Sequence, residues 1–318
     1  MRANARQTSL TVIEITIVLT LVALLLLLGL PLMKKTYHEK LQTTCMLNLK
    51  QLGLTFKMYA NESVSGLYPS ARFSQGLRST ERKLQWKFDA YAFYPEYLVD
   101  LELLVCPTDS DGAKELADME QECGQDYSTY SECINGFDLP TYTYMPWESN
   151  NQVVFGENNP KLPTSLNTLT PQQALDNGYY NQEYFQGLQA LKAFVEDDTN
   201  TDETVAQHFR EDLTLENPDH KVRRVREFIV RGSAPPTYDP DFVVDDPIMA
   251  TMFTTNYWEA IGQPQNITPI LFDPAPYNGE PYAHGNSSIA ILFMDGHAEC
   301  NNPSFPQVIH LYRMLEVL

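Results

Sequence analysis

The stretch LTVIEITIVLTLVALLLLLGLPLM, Leu10 to Met33, decides how this 318-residue chain is organised. Glu14 is its one charged residue, with Arg2 and Arg6 before the run and Lys34 and Lys35 closing it. A helix crosses a bilayer with about 20 apolar residues, so the run is long enough for a membrane span. A secretory signal has a shorter apolar core, about 7–15 residues, and a small-x-small cleavage site. Here the run ends in Leu32, Met33 and two lysines instead. The flanking positive charges nearly tie, so they do not orient the segment. A carboxylate inside such a helix is costly and ordinarily has a partner and a task. On these residues alone, a plain single-pass anchor with one stray acid stands beside a helix in which Glu14 works.

The helical pattern continues past the lysines. Leu41, Cys45, Leu49, Leu52, Phe56 and Tyr59 recur every three or four residues, the period of one helical face. One helix from about Leu10 to about Asn61 is expected, roughly 75–80 Å long. Its first half would lie in lipid or in a filament core. Its second half would lay the apolar stripe on a globular head. Two helices broken near Pro31 are the alternative.

The order Ser9, Leu10, Thr11, Val12, Ile13, Glu14 resembles the type IV prepilin signature. In that family a short basic leader ends in a small residue, usually Gly where this chain has Ser9, and a Glu lies five positions into the mature chain. The resemblance implies cleavage by a prepilin peptidase between Ser9 and Leu10, methylation of the new Leu10 amine, and pairing of that amine with Glu14 of a neighbouring subunit. Pro31 falls where such pilins often carry a kinking proline. Opposite charges attract strongly only when both are desolvated together, which makes the pair a register device.

Three further stretches resemble bacterial prepilin-like proteins common in planctomycete and verrucomicrobial lineages. CMLNLKQLG, from Cys45, is similar to their C-x-x-N-L-[KR]-Q-[LIM]-G helix. YPEYLVDLELLVCPTDSDG, from Tyr94, is similar to Y-P-x-Y-L-x-D followed by a strand ending in C-P-[ST]-D. His284 to Asp295–Gly296 is similar to their C-terminal H-x(9,10)-D-G motif, the H-X9-DG form being the more familiar. Pseudopilin heads can hold Ca²⁺ near their C-terminal loops, and oxygen ligands are abundant here. Otherwise no cofactor is expected.

Composition bounds the rest. The net charge is −19, from 41 acids against 22 bases, a surface that repels phosphate, so nucleic acid is not an expected ligand. Eighteen Tyr and 21 Pro suit a loop-rich extracytoplasmic fold. The cluster KVRRVR from Lys221 reads as a solvated face paired with nearby acids. Five cysteines are present: Cys45, Cys106, Cys123, Cys133 and Cys300. Outside the cytoplasm disulfides are permitted. Cys123 and Cys133 are the favoured pair, Cys106 could pair with Cys45 or Cys300, and the odd count leaves a thiol over. No CxxC or HxxxH spacing supports a zinc site.

The apolar run Ile289 to Met294, the turn dipeptide Asp295–Gly296 and the segment His297 to Cys300 form a hairpin signal. TPILFD, Thr268 to Asp273, reads as a core strand, and Leu188, Leu191 and Phe194 as a buried helical stripe. PPTYDPDFVVDDP, Pro235 to Pro247, reads as an exposed acidic loop without the spacing of an EF-hand. No G-x-S-x-G, Walker loop, dinucleotide-binding glycine turn or H-E-x-x-H occurs, so no enzyme is expected.

The expected fold is α+β. A long N-terminal helix, transmembrane in its first half and amphipathic in its second, packs on an antiparallel β-sheet head with a loop-rich insertion. The expected divisions are a leader over 1–9, an assembly helix over 10–33, an amphipathic extension over 34–62 and a head over 63–318, with the insertion at about 150–250. The expected function is a pilin-like or pseudopilin structural subunit of a type IV pilus or type II secretion filament. Its partners would be the prepilin peptidase, copies of itself, other pilin-like subunits and an inner-membrane assembly platform. The rival expectation is a non-polymerising single-pass membrane protein whose head binds a glycan or Ca²⁺.

Overall fold

The computed structural model describes residues 12–63, 66–76, 79–89, 92–123, 137, 139–149, 151–155, 169–215, 221–222, 224–225, 268–274, 288–301 and 306–317. Helix α1, Val12–Glu62, runs 51 residues without a break, through Pro31, and is about 77 Å long at 1.5 Å per residue. Its second half carries the stripe expected of it. Cys45, Leu49, Leu52, Phe56 and Ala60 are fully buried, while Leu47, Leu54 and Met58 on the far side are exposed.

The first half differs from expectation. Among the described residues no helix is long and apolar enough to cross a membrane, and the transmembrane half is corrected on that ground. The apolar side chains described there run from Ile13 to Leu26. They share that stretch with Glu14, Thr16 and Thr20. The two threonine hydroxyls turn back onto the helix, donating to the carbonyls of Ile13 and Thr16.

The head is built on a four-stranded antiparallel sheet in the order β3–β6–β7–β8. These strands are β3 (Thr143–Tyr144), β6 (Pro269–Phe272), β7 (Ile289–Phe293) and β8 (Ala298–Asn301). Strand residues alternate between faces, and β7 shows the consequence. Ala290 and Leu292 join the core beneath α1, whereas Ile289, Ile291 and Phe293 join a second core on the opposite face. Both faces are covered, so β7 reads as a continuous apolar run. Against Leu292, α1 has a glycine: a Cβ added at Gly53 would meet Leu292 Cδ1 at 2.9 Å. The close approach of helix to sheet requires that missing side chain.

The second core replaces the expected loop-rich insertion, over its described part, with short helices. They are α3 (Asn151–Phe155), α4 (Pro171–Asp176), α5 (Gln182–Glu196) and α6 (Asp202–His208). Side-chain oxygens cap three of them: Thr170 for α4, Asn181 for α5 and Thr201 for α6. In α5, Leu188 and Leu191 are buried as expected, Phe194 is partly buried, and Tyr184 and Val195 complete the face. The C-terminal helix α7 (Pro306–Val317) closes the same layer. Two small antiparallel pairs flank the sheet: β1 (Ala71–Gly76) with β2 (Ser79–Phe88), and β4 (Leu213–Thr214) with β5 (Lys221–Val222).

Buried arginines hold the loops in place. Arg224 is not on a solvated face, contrary to the reading of the basic cluster; it is 1 % exposed. Its guanidinium donates to the carbonyls of Pro146 at 2.7 Å, Tyr68 at 2.9 Å and Pro69 at 2.7 Å. Arg72 does the same for Phe137 and Leu139, each at 2.8 Å. Arg82 holds the α5–α6 turn through the Asn200 carbonyl at 2.8 Å and the Asp202 carboxylate. A planar fork with several donors suits loop carbonyls that no ladder serves. The segment Pro235 to Pro247 lies outside the described residues.

Candidate functional site

The residues singled out in the sequence fall in three places. The first is the start of α1. Glu14 sits in the first helical turn with its carboxylate side exposed, where the helix dipole favours an acid. The apolar side chains from Ile13 to Leu26 that follow are 44–70 % exposed. Ser9 and Leu10 lie outside the described residues. Pro31 is within the helix, and its side chain lies outside the described part.

The second place is the C-terminal hairpin. The turn between β7 and β8 is as expected. Gly296 has φ +92°, a conformation that strains any L side chain, and a Cβ there would meet Lys57 Cε at 3.1 Å. Asp295 accepts from its own turn, taking the His297 backbone N–H at 3.0 Å and the His297 ring through Nδ1. The His297 ring stacks on Phe293 with centroids 4.4 Å apart. Asp295 and His297 thus build the turn. His284 lies outside the described residues.

The third place lies under α1, where two motifs distant in sequence meet. Asp100 caps a 3₁₀ turn, Leu101–Leu104, in place of the expected strand, by accepting from the Glu102 N–H. Three of the four residues of the turn, Leu101, Leu103 and Leu104, are buried. Asp109 then caps helix α2 (Ser110–Cys123), accepting from the N–H groups of Asp111 and Gly112 at 3.0 Å. Between the two caps lies Val105–Cys106. Asn48, one turn along α1 from Cys45, donates to the Val105 carbonyl at 3.2 Å. The Cys106 N–H donates to Thr141 Oγ1 at 2.9 Å, and Cys106 Sγ lies 2.9 Å from Thr108 Oγ1.

Cys45, Cys106 and Asp273 bring their sulfur and oxygen atoms within 4.8 Å of one another, all three buried. Asp273 ends β6. Its Oδ2 accepts from the Ala290 N–H at 2.8 Å, and the Cys45 thiol donates to its Oδ1 at 3.6 Å. Tyr142 Oη is 3.6 Å from Cys45 Sγ. Burial, then contact with Cys106 and the nearby Asp273, pushes the Cys45 thiol well above its ordinary pKa. Burial likewise pushes Tyr142 up. Cys300, opposite Ala290 on β8, is pushed up to about 11, chiefly by burial.

Cys45 and Cys300 are therefore protonated at neutral pH and poor nucleophiles. Two thiols and a carboxylate are a soft ligand set of the kind zinc takes, unlike the oxygen cage of Ca²⁺. Cys45, Cys106 and Cys300 are free thiols, and Cys123 is disulfide-bonded. Cys133 lies outside the described residues. The sequence had marked both cysteines of this group but not Asp273, which read as the last residue of a core strand. The available signal was an acid directly after four apolar residues in a strand buried on both faces.

Comparison of the chain with protein-family models, with curated proteins and with solved structures finds no match.

Proposed function

We propose that this chain is a pilin-like structural subunit of the pseudopilin kind, which polymerises through the N-terminal half of α1. One observation carries the reading. A single uninterrupted helix buries its C-terminal half in a head and leaves the apolar side chains of its N-terminal half, Ile13 to Leu26, exposed. Exposed apolar surface of this extent marks an interaction site. The occupant is the same half-helix of neighbouring copies and of other pilin-like subunits. Packed side by side, these helices bury the apolar side chains that the isolated chain leaves open.

Glu14 then sets the register. A prepilin peptidase at the inner membrane cuts between Ser9 and Leu10, the Leu10 amine is methylated, and the assembly platform adds the subunit to the filament. In the lattice the Leu10 amine of one subunit meets Glu14 of the next. Leaving one of two such charges buried without its partner costs about 3–5 kcal/mol, enough to block addition. The head, with its disulfide at Cys123, stands outside the cytoplasm.

Two measurements test this. Intact mass in a host with its prepilin peptidase should show loss of residues 1–9 and gain of one methyl group. Glu14→Ala should be made and processed normally yet stay out of filaments. An uncut chain in the native host, or normal incorporation of Glu14→Ala, overturns the proposal.

A further inference from the structure

We propose that Cys45 and Cys106 are a redox pair that closes a disulfide between the stalk helix α1 and the loop leading into α2. The two sulfurs lie within 4.8 Å of each other in the buried group under α1. They belong to segments already fixed against each other, because Asn48 holds the Val105 carbonyl and Thr141 holds the Cys106 N–H. Oxidation therefore needs little rearrangement. Cys123 already carries a disulfide, and conditions that form it also oxidise a second pair of close thiols.

Cys300 is the third thiol nearby; Cys106 and Asp273 act on it too, but it lies outside the group whose sulfur and oxygen atoms come within 4.8 Å of one another. It lies on β8 and hydrogen-bonds toward Ser288. The groups acting on Cys45 are Cys106, Asp273 and Tyr142. Bound zinc is the competing use of the same atoms. It would require both thiols to be deprotonated beside a carboxylate. The described geometry has Cys45 as a thiol donating to Asp273 Oδ1.

The reaction balances against a small-molecule disulfide such as oxidised glutathione. One protein thiolate attacks a glutathione sulfur and releases one glutathione thiolate. The second protein thiolate attacks the mixed disulfide and releases the other. The protein loses two electrons and two protons, and the oxidant becomes two thiols. Both protein thiols are buried, so the exchange proceeds during folding or when α1 lifts locally, and is slow in the closed head. The product bridges 60 intervening residues and links the stalk covalently to the head. Pull applied to α1 within an assembly then reaches the head through a second covalent link at Cys45, besides the backbone that leaves α1 at Glu62.

The test uses the full chain, refolded with oxidised glutathione and separately with EDTA or equimolar zinc. Each sample is then alkylated in denaturant without reductant. The expected result is alkylation of Cys300, protection of Cys45 and Cys106, and a non-reduced tryptic peptide joining those two residues. Alkylation of Cys45 and Cys106 in the glutathione sample overturns the proposal, as does a peptide joining either one to Cys300. So does zinc that stays bound through dialysis and keeps both thiols reduced in oxidised glutathione. Because the readout is chemical and made on isolated chain, it is independent of processing at Ser9 and of filament formation.

Discussion

Replacing Arg224 with alanine tests whether the head is held by buried donors serving loop carbonyls. The side chain reaches three carbonyls on two segments, Tyr68 and Pro69 on one and Pro146 on the other. Pro146 keeps the Val225 N–H at 2.9 Å, and Pro69 keeps the Tyr144 hydroxyl at 2.8 Å. Losing the Arg224 donors from these buried carbonyls costs about 1–3 kcal/mol. The guanidinium lies 5.8 Å from the centroid of the Trp147 ring, a contact worth about 0.5–2 kcal/mol. The vacated volume adds a cavity cost, and removal of a desolvated charge returns part of the total.

The expected loss is about 2–5 kcal/mol, read as the shift in urea unfolding followed by circular dichroism. Arg224→Met keeps much of the volume and should lose less than Arg224→Ala. Lys221→Ala, three residues away on an exposed side chain, should change stability by less than about 0.5 kcal/mol. An Arg224→Ala loss below about 1 kcal/mol would refute the clamp. Equal effects at 224 and 221 would refute it too, because the cluster would then be the solvated face that its composition describes.

Gly53→Leu should destabilise by at least about 1–3 kcal/mol through overpacking against Leu292, and Leu292→Ala in the same chain should recover part of it; strict additivity of the two changes would show that the close approach is not the cause. Gly296→Ala should cost about 1–2 kcal/mol for a left-handed residue with a Cβ, measured by thermal unfolding, and no loss would mean that the turn is not built as described. His310 is held neutral: burial, then Arg313, lowers its pKa to about 3, and its Nδ1 lies 2.7 Å from the Tyr180 hydroxyl. Between pH 3 and about 6.5 the unfolded chain binds one more proton than the folded one at this residue, so stability falls as pH falls. From pH 7 to pH 5 the loss is about 2 kcal/mol, and His310→Gln should remove that part of the pH dependence in urea titrations; an unchanged dependence would refute the assignment.

What could be read from the sequence was what repeats locally. The stripe Cys45, Leu49, Leu52, Phe56 follows the helix period, so α1 was legible through Pro31 and onto the head. The β7–β8 hairpin was legible because Asp295–Gly296 has one common use between two apolar strands. The strand that the resemblance implies over Leu101–Leu104 is instead a 3₁₀ turn: four residues with three apolar side chains fit either form, and the Asp100 cap decides. Arg224 was misread for a different reason. Its donors meet carbonyls about 155 residues earlier, and no local pattern distinguishes a buried arginine in KVRRVR from a solvated one.

The same distinction explains the group under α1. C-x-x-N on a helix places Cys45 and Asn48 one turn apart on one face, but the spacing does not say what that face meets. C-P-T-D places Cys106 before a helix cap at Asp109, but does not say what lies above the thiol. Each motif is half of one joint. The Asn48 amide holds the carbonyl directly before Cys106, and that bond brings the two sulfurs together. Asp273 completes the group from a third segment, marked in sequence only as an acid directly after four apolar residues. Pairing two local motifs is therefore within reach of sequence reasoning when each contains a cysteine and each needs a partner. The buried acid beside their thiols is visible only once the sheet is assembled.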